Sequence, residues 1–211
     1  MTPLVGRPRT FDRALALRNA MEVFWALGYE GATLTDLQKA MGGLTPPSLY
    51  AAFGSKEELL REAVELYSRT LGAPMKKALD ETPTARAAIE ALLHAAVQAF
   101  CKPGAPRGCM LVQGAMGTST SSSVEQYLRR LRTRRRKLIQ QRLERAVEQD
   151  ELPPGLDLAG IASFYTTVID GLALQARGGA SRKSLNFAAS CALAAWDAII
   201  TQNLSDHKTR S

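Results

Sequence analysis

Thr33, Thr35, Thr45, Ser48 and Tyr50 crowd into one short stretch of the chain, with Lys56 just beyond it. Hydroxyls and an ammonium at this density suit hydrogen bonding to phosphate oxygens and base edges. Bond-breaking chemistry has less to stand on. The chain has two histidines, neither in an acid–base or nucleophile arrangement, and no G-x-x-x-x-G-K or G-x-G-x-x-G run to hold a nucleotide. The residues therefore point away from an enzyme, and no cofactor is expected. Cys109, in Arg107-Gly-Cys-Met-Leu-Val112, has a cation close in sequence and is a candidate sensing thiol, with Met110, Gln113 and Arg135 as companions. The competing reading is a small buried hydrophobe. His94, Cys101 and Cys109 offer only three ligands at irregular spacing, so no metal is expected.

A second charged feature is the run Arg129, Arg130, Arg132, Arg134, Arg135, Arg136 and Lys137, followed by Arg142 and Arg145. At about 100° per residue, Arg135 and Arg142 fall inside the apolar stripe of Val124, Leu128, Leu131, Leu138 and Ala146. Three readings stay open: snorkelling or ion-paired arginines, an anchor for an anionic ligand, or a second nucleic-acid surface.

The elements that must position these groups read as helices throughout. A first helix spans Asp12 to Leu27, with Gly28 at its C′ position. Thr35-Asp-Leu-Gln38 reads as a capping-box start for a short second helix ending at Gly42-Gly43. Thr45 caps a third, with Pro46 at its first position and Leu49 and Phe53 facing inward. Ser55-Lys-Glu-Glu58 opens a long fourth helix to about Leu79. Larger amphipathic helices follow: one marked by Ile89 to Phe100, a short one from about Arg107 to Met116, then Val124 to Gln149, Asp157 to Arg177, and Ser181 to about Asn203. The fold class is all-α with about nine helices. Two short helices joined by a glycine turn, the second capped and starting with proline, describe a helix-turn-helix at about 33–53.

Composition is that of a globular chain of 211 residues, 45% hydrophobic and 22% charged. The start has no apolar segment of the export type, and no apolar run reaches the ~18 residues of a membrane span, so no membrane partner is expected. Three cysteines at unrelated spacings make no disulfide framework and favour a cytoplasmic setting. The net charge of +7 is misleading as a guide to the DNA contacts. Residues 1–70 are balanced, eight Lys/Arg against eight Asp/Glu, whereas 71–156 carry fourteen against eight.

Gly28-Tyr29, Gly31-Ala-Thr33-Leu-Thr35-Asp-Leu37, Ser48-Leu-Tyr50, Phe53 and Ser55-Lys-Glu-Glu-Leu59 resemble the head of the tetracycline-repressor (TetR) family in order, spacing and type, over residues 8–70. The resemblance implies a DNA-binding head at 8–55 and a regulatory and dimerisation body at 56–204. It further implies a homodimer joined through the last two helices, bound to a pseudo-palindromic double-stranded operator. In the family, a small molecule entering the body releases the DNA; the effector here is unknown. By position, Thr33 and Thr35 should meet a phosphate. Thr45, Ser48 and Tyr50 look like recognition-helix contacts, Lys56 like a phosphate clamp, and Arg7 and Arg9 like a basic arm along the DNA. Pro46-Pro47 departs from the Lys-Gly found in many relatives. These prolines either touch a thymine methyl or simply rigidify the turn.

The last helix has two apolar faces. Leu185, Ala189, Ala192, Leu193, Trp196, Ile199 and Ile200 form a broad one; Phe187, Cys191, Ala194 and Ala198 lie nearly opposite and are the expected dimer contacts. The expected function is a repressor freed from its operator by a small molecule or reactive species. Rival readings are an activator or a member that no longer binds DNA and, from another class, a helical enzyme or carrier.

Overall fold

The computed structural model describes residues 11–115, 117–120 and 122–201; Arg7 and Arg9 lie outside them. The described residues form ten α-helices and no strand. One long helix and two short ones build the head. α1 (Arg13–Gly31) starts at Asp12, whose side chain accepts from the Leu15 N–H, and kinks at Gly28 with φ 73°. This positive φ, open to glycine at little cost, turns the chain where the first apolar stripe ends. α2 (Leu34–Ala40) and α3 (Pro46–Phe53) follow, separated by Gly42 and Gly43 at φ 88° and 81°. Two successive left-handed residues make this the tight helix-turn-helix corner that the spacing predicts. Gln38 clamps it by donating to the Leu44 carbonyl at 2.9 Å, and Asn19 by donating to the Ala40 carbonyl at 2.8 Å.

The single fourth helix expected to Leu79 is two helices, α4 (Lys56–Thr70) and α5 (Ala73–Glu81). Gly72-Ala-Pro74 explains the break. The N–H groups of Leu71 and Gly72 both close onto the Tyr67 carbonyl, and Pro74 restarts the chain where it needs no donor. α6 (Ala85–Phe100) is buried over most of its circumference by α5, α8, α9 and α10. The expected helix over 107–116 is only the single turn α7 (Met110–Gln113). α8 (Ser123–Glu148), α9 (Leu158–Arg177) and α10 (Arg182–Ala194) complete the body, and helix resumes after Ala195 to Thr201. Phe24, Trp25, Leu37 and Leu49 of the head share one continuous apolar cluster with Phe100, Leu128 and Tyr165 of the body.

Candidate nucleic-acid interface

α3 presents a polar leading end on an apolar anchor. Leu49 and Phe53 are buried, while Thr45, Pro46, Pro47, Ser48, Tyr50 and Ala51 are exposed, Tyr50 at 41%. Thr45 accepts from the Ser48 N–H at 3.4 Å, and the two hydroxyls pair at 2.9 Å. The first turn of α3 therefore carries two ordered hydroxyls facing outward, suited to phosphate or a base edge, while its backbone offers no free N–H: Pro46 and Pro47 have none and that of Ser48 is bonded to Thr45. Arg13 fixes the far end of α3. It donates to the Ala52 carbonyl at 3.2 Å, lies 4.4 Å from the Phe53 ring centre and pairs with Glu62 of α4 at 2.7 Å.

The start of α2 differs from the sequence expectation. Its cap is Thr33, not Thr35: the Asp36 N–H donates to the Thr33 hydroxyl at 3.1 Å, and the Thr33 N–H to the Asp36 carboxylate at 3.0 Å. The Thr33 hydroxyl also donates to the Asp36 carboxylate at 2.5 Å, and this bond, then that from the Thr33 N–H, holds the carboxyl below its ordinary range. The Thr33 hydroxyl is thus engaged in capping. Thr35, exposed in the first turn, is the better placed of the two to reach out.

Lys56 opens α4, and its ammonium rests 4.4 Å from the Tyr29 ring centre. Burial lowers its pKa, opposed by Glu30. Next to it, Glu57 pairs with Arg61 at 2.6 Å and accepts from the Ser123 hydroxyl at 2.6 Å, so its carboxyl is held down by Ser123 and then Arg61. Arg61 in turn stacks 4.5 Å from the Tyr127 ring. The start of α4 is therefore bolted to the first turns of α8.

A second set of ties joins the head to α7. The buried Trp25 indole donates to the Gly108 carbonyl at 3.2 Å, and the Tyr29 N–H donates to Gly114 at 3.3 Å. Arg177, at the end of α9, donates to the Ala26 carbonyl. Cys109 sits between the first two ties and is buried, at 1% exposure. Its neighbouring cation is Arg135, which donates to the sulfur at 3.9 Å and pairs with Asp170. Arg107, expected in that role, instead lies 3.6 Å from the Cys101 sulfur and donates to the Ala176 and Ala180 carbonyls. Gly108, between Arg107 and Cys109 at φ 89°, turns the chain, so nearness in sequence does not bring their side chains together. The Tyr67 phenol also lies against Cys109; burial and then that thiol push it well up, so it stays neutral. Burial works against the Arg135 charge, but Cys109 and Asp170 outweigh it. Met110 and Gln113 are buried, and Gln113 donates to the Arg107 carbonyl at 2.9 Å. Beside them opens a cleft of about 330 Å³ lined by Val112, Ala115, Thr118, Glu125, Arg132 and Asp170, among others. Arg142, the other stripe arginine, is buried on the Thr82 and Pro83 carbonyls and Glu151. No group of three or more His, Cys, Asp or Glu suited to a metal occurs among the described residues.

The last helix divides as its pattern suggests. Leu185, Ala189, Ala192 and Trp196 are buried, whereas Phe187 is 72% exposed and Cys191, Ala194 and Ala198 are exposed. α9 adds Phe164 and Leu174 to the exposed apolar surface. This surface is why the run Arg182–Thr201, at a mean hydropathy of 1.2 and 22% buried, is long and apolar enough to pass for a membrane span.

Sequence and structure comparisons agree with this arrangement. The family model "Bacterial regulatory proteins, tetR family" matches residues 16–63, and "Tetracyclin repressor-like, C-terminal domain" matches 83–191. The chain is 32% identical to the HTH-type transcriptional repressor ComR of Escherichia coli (strain K12), over 92% of this chain and 93% of that one. It is 29% identical to the repressor BdcR of the same organism, over 90% and 89%. Among solved structures, a cysteine mutant of the TetR family regulator CifR complexed with 26-bp operator DNA superposes with a TM-score of 0.85 at 42% identity, over 90% of this chain and 100% of that one.

Proposed function

The chain belongs to the TetR family of DNA-binding transcriptional regulators, and from that premise we propose that it is a homodimeric, cytoplasmic repressor released from its operator when a small molecule or reactive species reaches Cys109. The observation that carries this reading is the position of Cys109 between two hydrogen bonds to the head, Trp25 to Gly108 and Tyr29 to Gly114. A group added to the sulfur has no free volume in a site 1% exposed, so α7 must move. Movement at Gly114 pulls on Tyr29, whose ring supports Lys56. The head at 8–55 and the body at 56–204 then act as the reading and sensing halves. Arg135, 3.9 Å from the sulfur, is the cation that borders it. Transient opening, through the adjoining cleft, is the route for a reagent.

The DNA contacts in this reading are Thr35, Thr45, Pro46, Pro47, Ser48, Tyr50 and Lys56, with Thr33 acting through its cap and Arg7 and Arg9 as an arm. Lys56→Ala should weaken binding on all sequences and lower the salt slope by about one, as expected for one lost phosphate contact. Tyr50→Ala should reduce operator affinity while leaving helicity intact. Wild-type affinity in both folded variants would remove α3 and the start of α4 from the interface.

Sensing is tested by alkylation. Treatment of the full-length protein with a small thiol alkylator should release the operator, and Cys109→Ser should bind DNA normally but no longer respond. If the native Cys109 thiol resists alkylation, that thiol is structural, and if Cys109→Ser is released as readily as wild type, the response belongs to Cys101 or Cys191.

A further inference from the structure

The cations of α8 divide into two sets. Arg132 pairs with Glu125 at 2.7 Å, Arg135 with Asp170 and Arg142 with Glu151 at 3.6 Å, all on the side facing the body. Arg129, Arg130, Arg134, Arg136 and Lys137 are exposed, and none forms an ion pair among the described residues. Four of them, with Thr133, line a shallow cleft of about 450 Å³. Like charges one helical turn apart, such as Arg130 with Arg134, repel and destabilise a helix. A solvated face needs no such concentration.

We propose that this exposed face of α8 is a second, sequence-independent binding surface for the phosphate backbone of duplex DNA. It rests on the family's DNA-binding function and adds a surface outside the helix-turn-helix. Three observations favour DNA over another anion. First, residues 1–70 carry no net charge, so the attraction that a DNA-binding protein needs must come from elsewhere, and the excess lies in 71–156. Second, the stripe is close to the DNA edge of the head: Ser123, at the start of α8, hydrogen-bonds Glu57 beside Lys56. Arg129 follows six residues later, about 9 Å along the helix axis. That is close to the Debye length, about 8 Å at physiological salt. Third, the set is arginine-rich, and the guanidinium fork matches phosphate oxygens better than an ammonium does. From Arg129 to Lys137 the stripe is about 12 Å long, room for three or four nucleotides of one strand.

The test uses the full-length protein and the variant Arg130→Ala, Arg134→Ala, Lys137→Ala. Alanine removes mutual repulsion on an exposed helix face, so the fold should hold, as circular dichroism will verify. Affinity is measured against salt on two duplexes: the chain's own upstream DNA and a scrambled sequence, each longer than the 26 bp of the CifR complex by about one helical turn on either side. The variant should lose two to three units of salt slope, roughly 0.9 per phosphate, on both duplexes. Arg130→Lys with Arg134→Lys should keep the wild-type slope. A triple variant whose slope stays within about half a unit of wild type overturns the proposal. So does a variant that keeps its slope but loses binding to vesicles of phosphatidylserine and phosphatidylcholine, since the surface then serves lipid. Failure of the wild type to prefer its upstream DNA over the scrambled duplex would count against the operator, and leaves the scrambled-duplex comparison intact as the test of this surface.

Discussion

Ala194→Arg should convert a dimer into a monomer and lower operator affinity by at least about a hundredfold, since each half-site contributes separately. The exposed face of α10 and of the helical segment after it is small and apolar at its centre, with Cys191, Ala194 and Ala198 flanked by the 72%-exposed Phe187. Phe164 at 38% and Leu174 at 48% on α9 extend it. Large apolar side chains at such exposure, on two adjacent helices, mark a surface made to be covered. Packing it on a second copy about a two-fold axis gives a four-helix arrangement, and small residues let the helices approach closely. An arginine there meets its own symmetry mate across the axis and is buried without a partner, a cost of several kcal/mol. The core stays intact, because the buried stripe of Leu185, Ala189, Ala192 and Trp196 lies on the other side. Light scattering should show the change in mass, and Ala198→Arg should behave alike. A variant still dimeric at micromolar concentration would exclude this face.

Asp170→Ala should destabilise the protein by about 3 kcal/mol in urea unfolding, toward the lower end for breaking a buried ion pair. Arg135 reaches inward from α8 with its side chain only 11% exposed, and Asp170 is its carboxylate partner. The tether also joins α8 to α9. Removing the carboxylate leaves a guanidinium whose remaining neighbour is the Cys109 sulfur at 3.9 Å. The discount from a fully buried pair reflects Asp170, whose side chain is 32% exposed, so water can replace part of what is lost. The same variant should react faster with a thiol alkylator, since the cation no longer divides its interaction between carboxylate and sulfur. Arg135→Met, which removes the charge and keeps much of the volume, should cost less than Asp170→Ala. A loss under about 1 kcal/mol for Asp170→Ala would show that the pair is solvated and contributes little.

The head was legible because its signals are local. Thr45 with Pro46, the Gly42-Gly43 corner and the Leu49/Phe53 spacing each act within a few residues of the chain and produce the local geometry they predict. The capping box predicted at Ser55 forms only by half: Ser55 accepts from the Glu58 N–H, but its own N–H goes to the Phe53 carbonyl. Two errors were also local. The box at Thr33 closes with Asp36 where Glu or Gln is the commoner partner, so α2 starts two residues before the point that the Thr35–Gln38 pattern predicts. Gly72-Ala-Pro74 carries a break signal that the amphipathic pattern on either side concealed. The sensing cluster was only half legible. Cys109 stands out by type, but Tyr67 and Asp170 come to it from α4 and α9, and no periodicity links residues so far apart. The same holds for Tyr29 under Lys56 and Ser123 on Glu57, which tie head to body through single contacts. The two faces of α10 were legible because a helix displays its surroundings in its own period.

The most direct test of the central claim is a nuclease footprint of the full-length protein on the DNA upstream of its own coding sequence. Protection of two inverted half-sites, with centres one helical turn or a whole number of turns apart, about 34–36 Å per turn, is the result expected from a two-fold dimer with α3 in successive major grooves. Lys56→Ala should fade both half-sites together. No protected region at protein concentrations a thousandfold above the nanomolar range usual for specific sites, or protection of a single unpaired half-site by a protein that is dimeric in solution, would contradict the account.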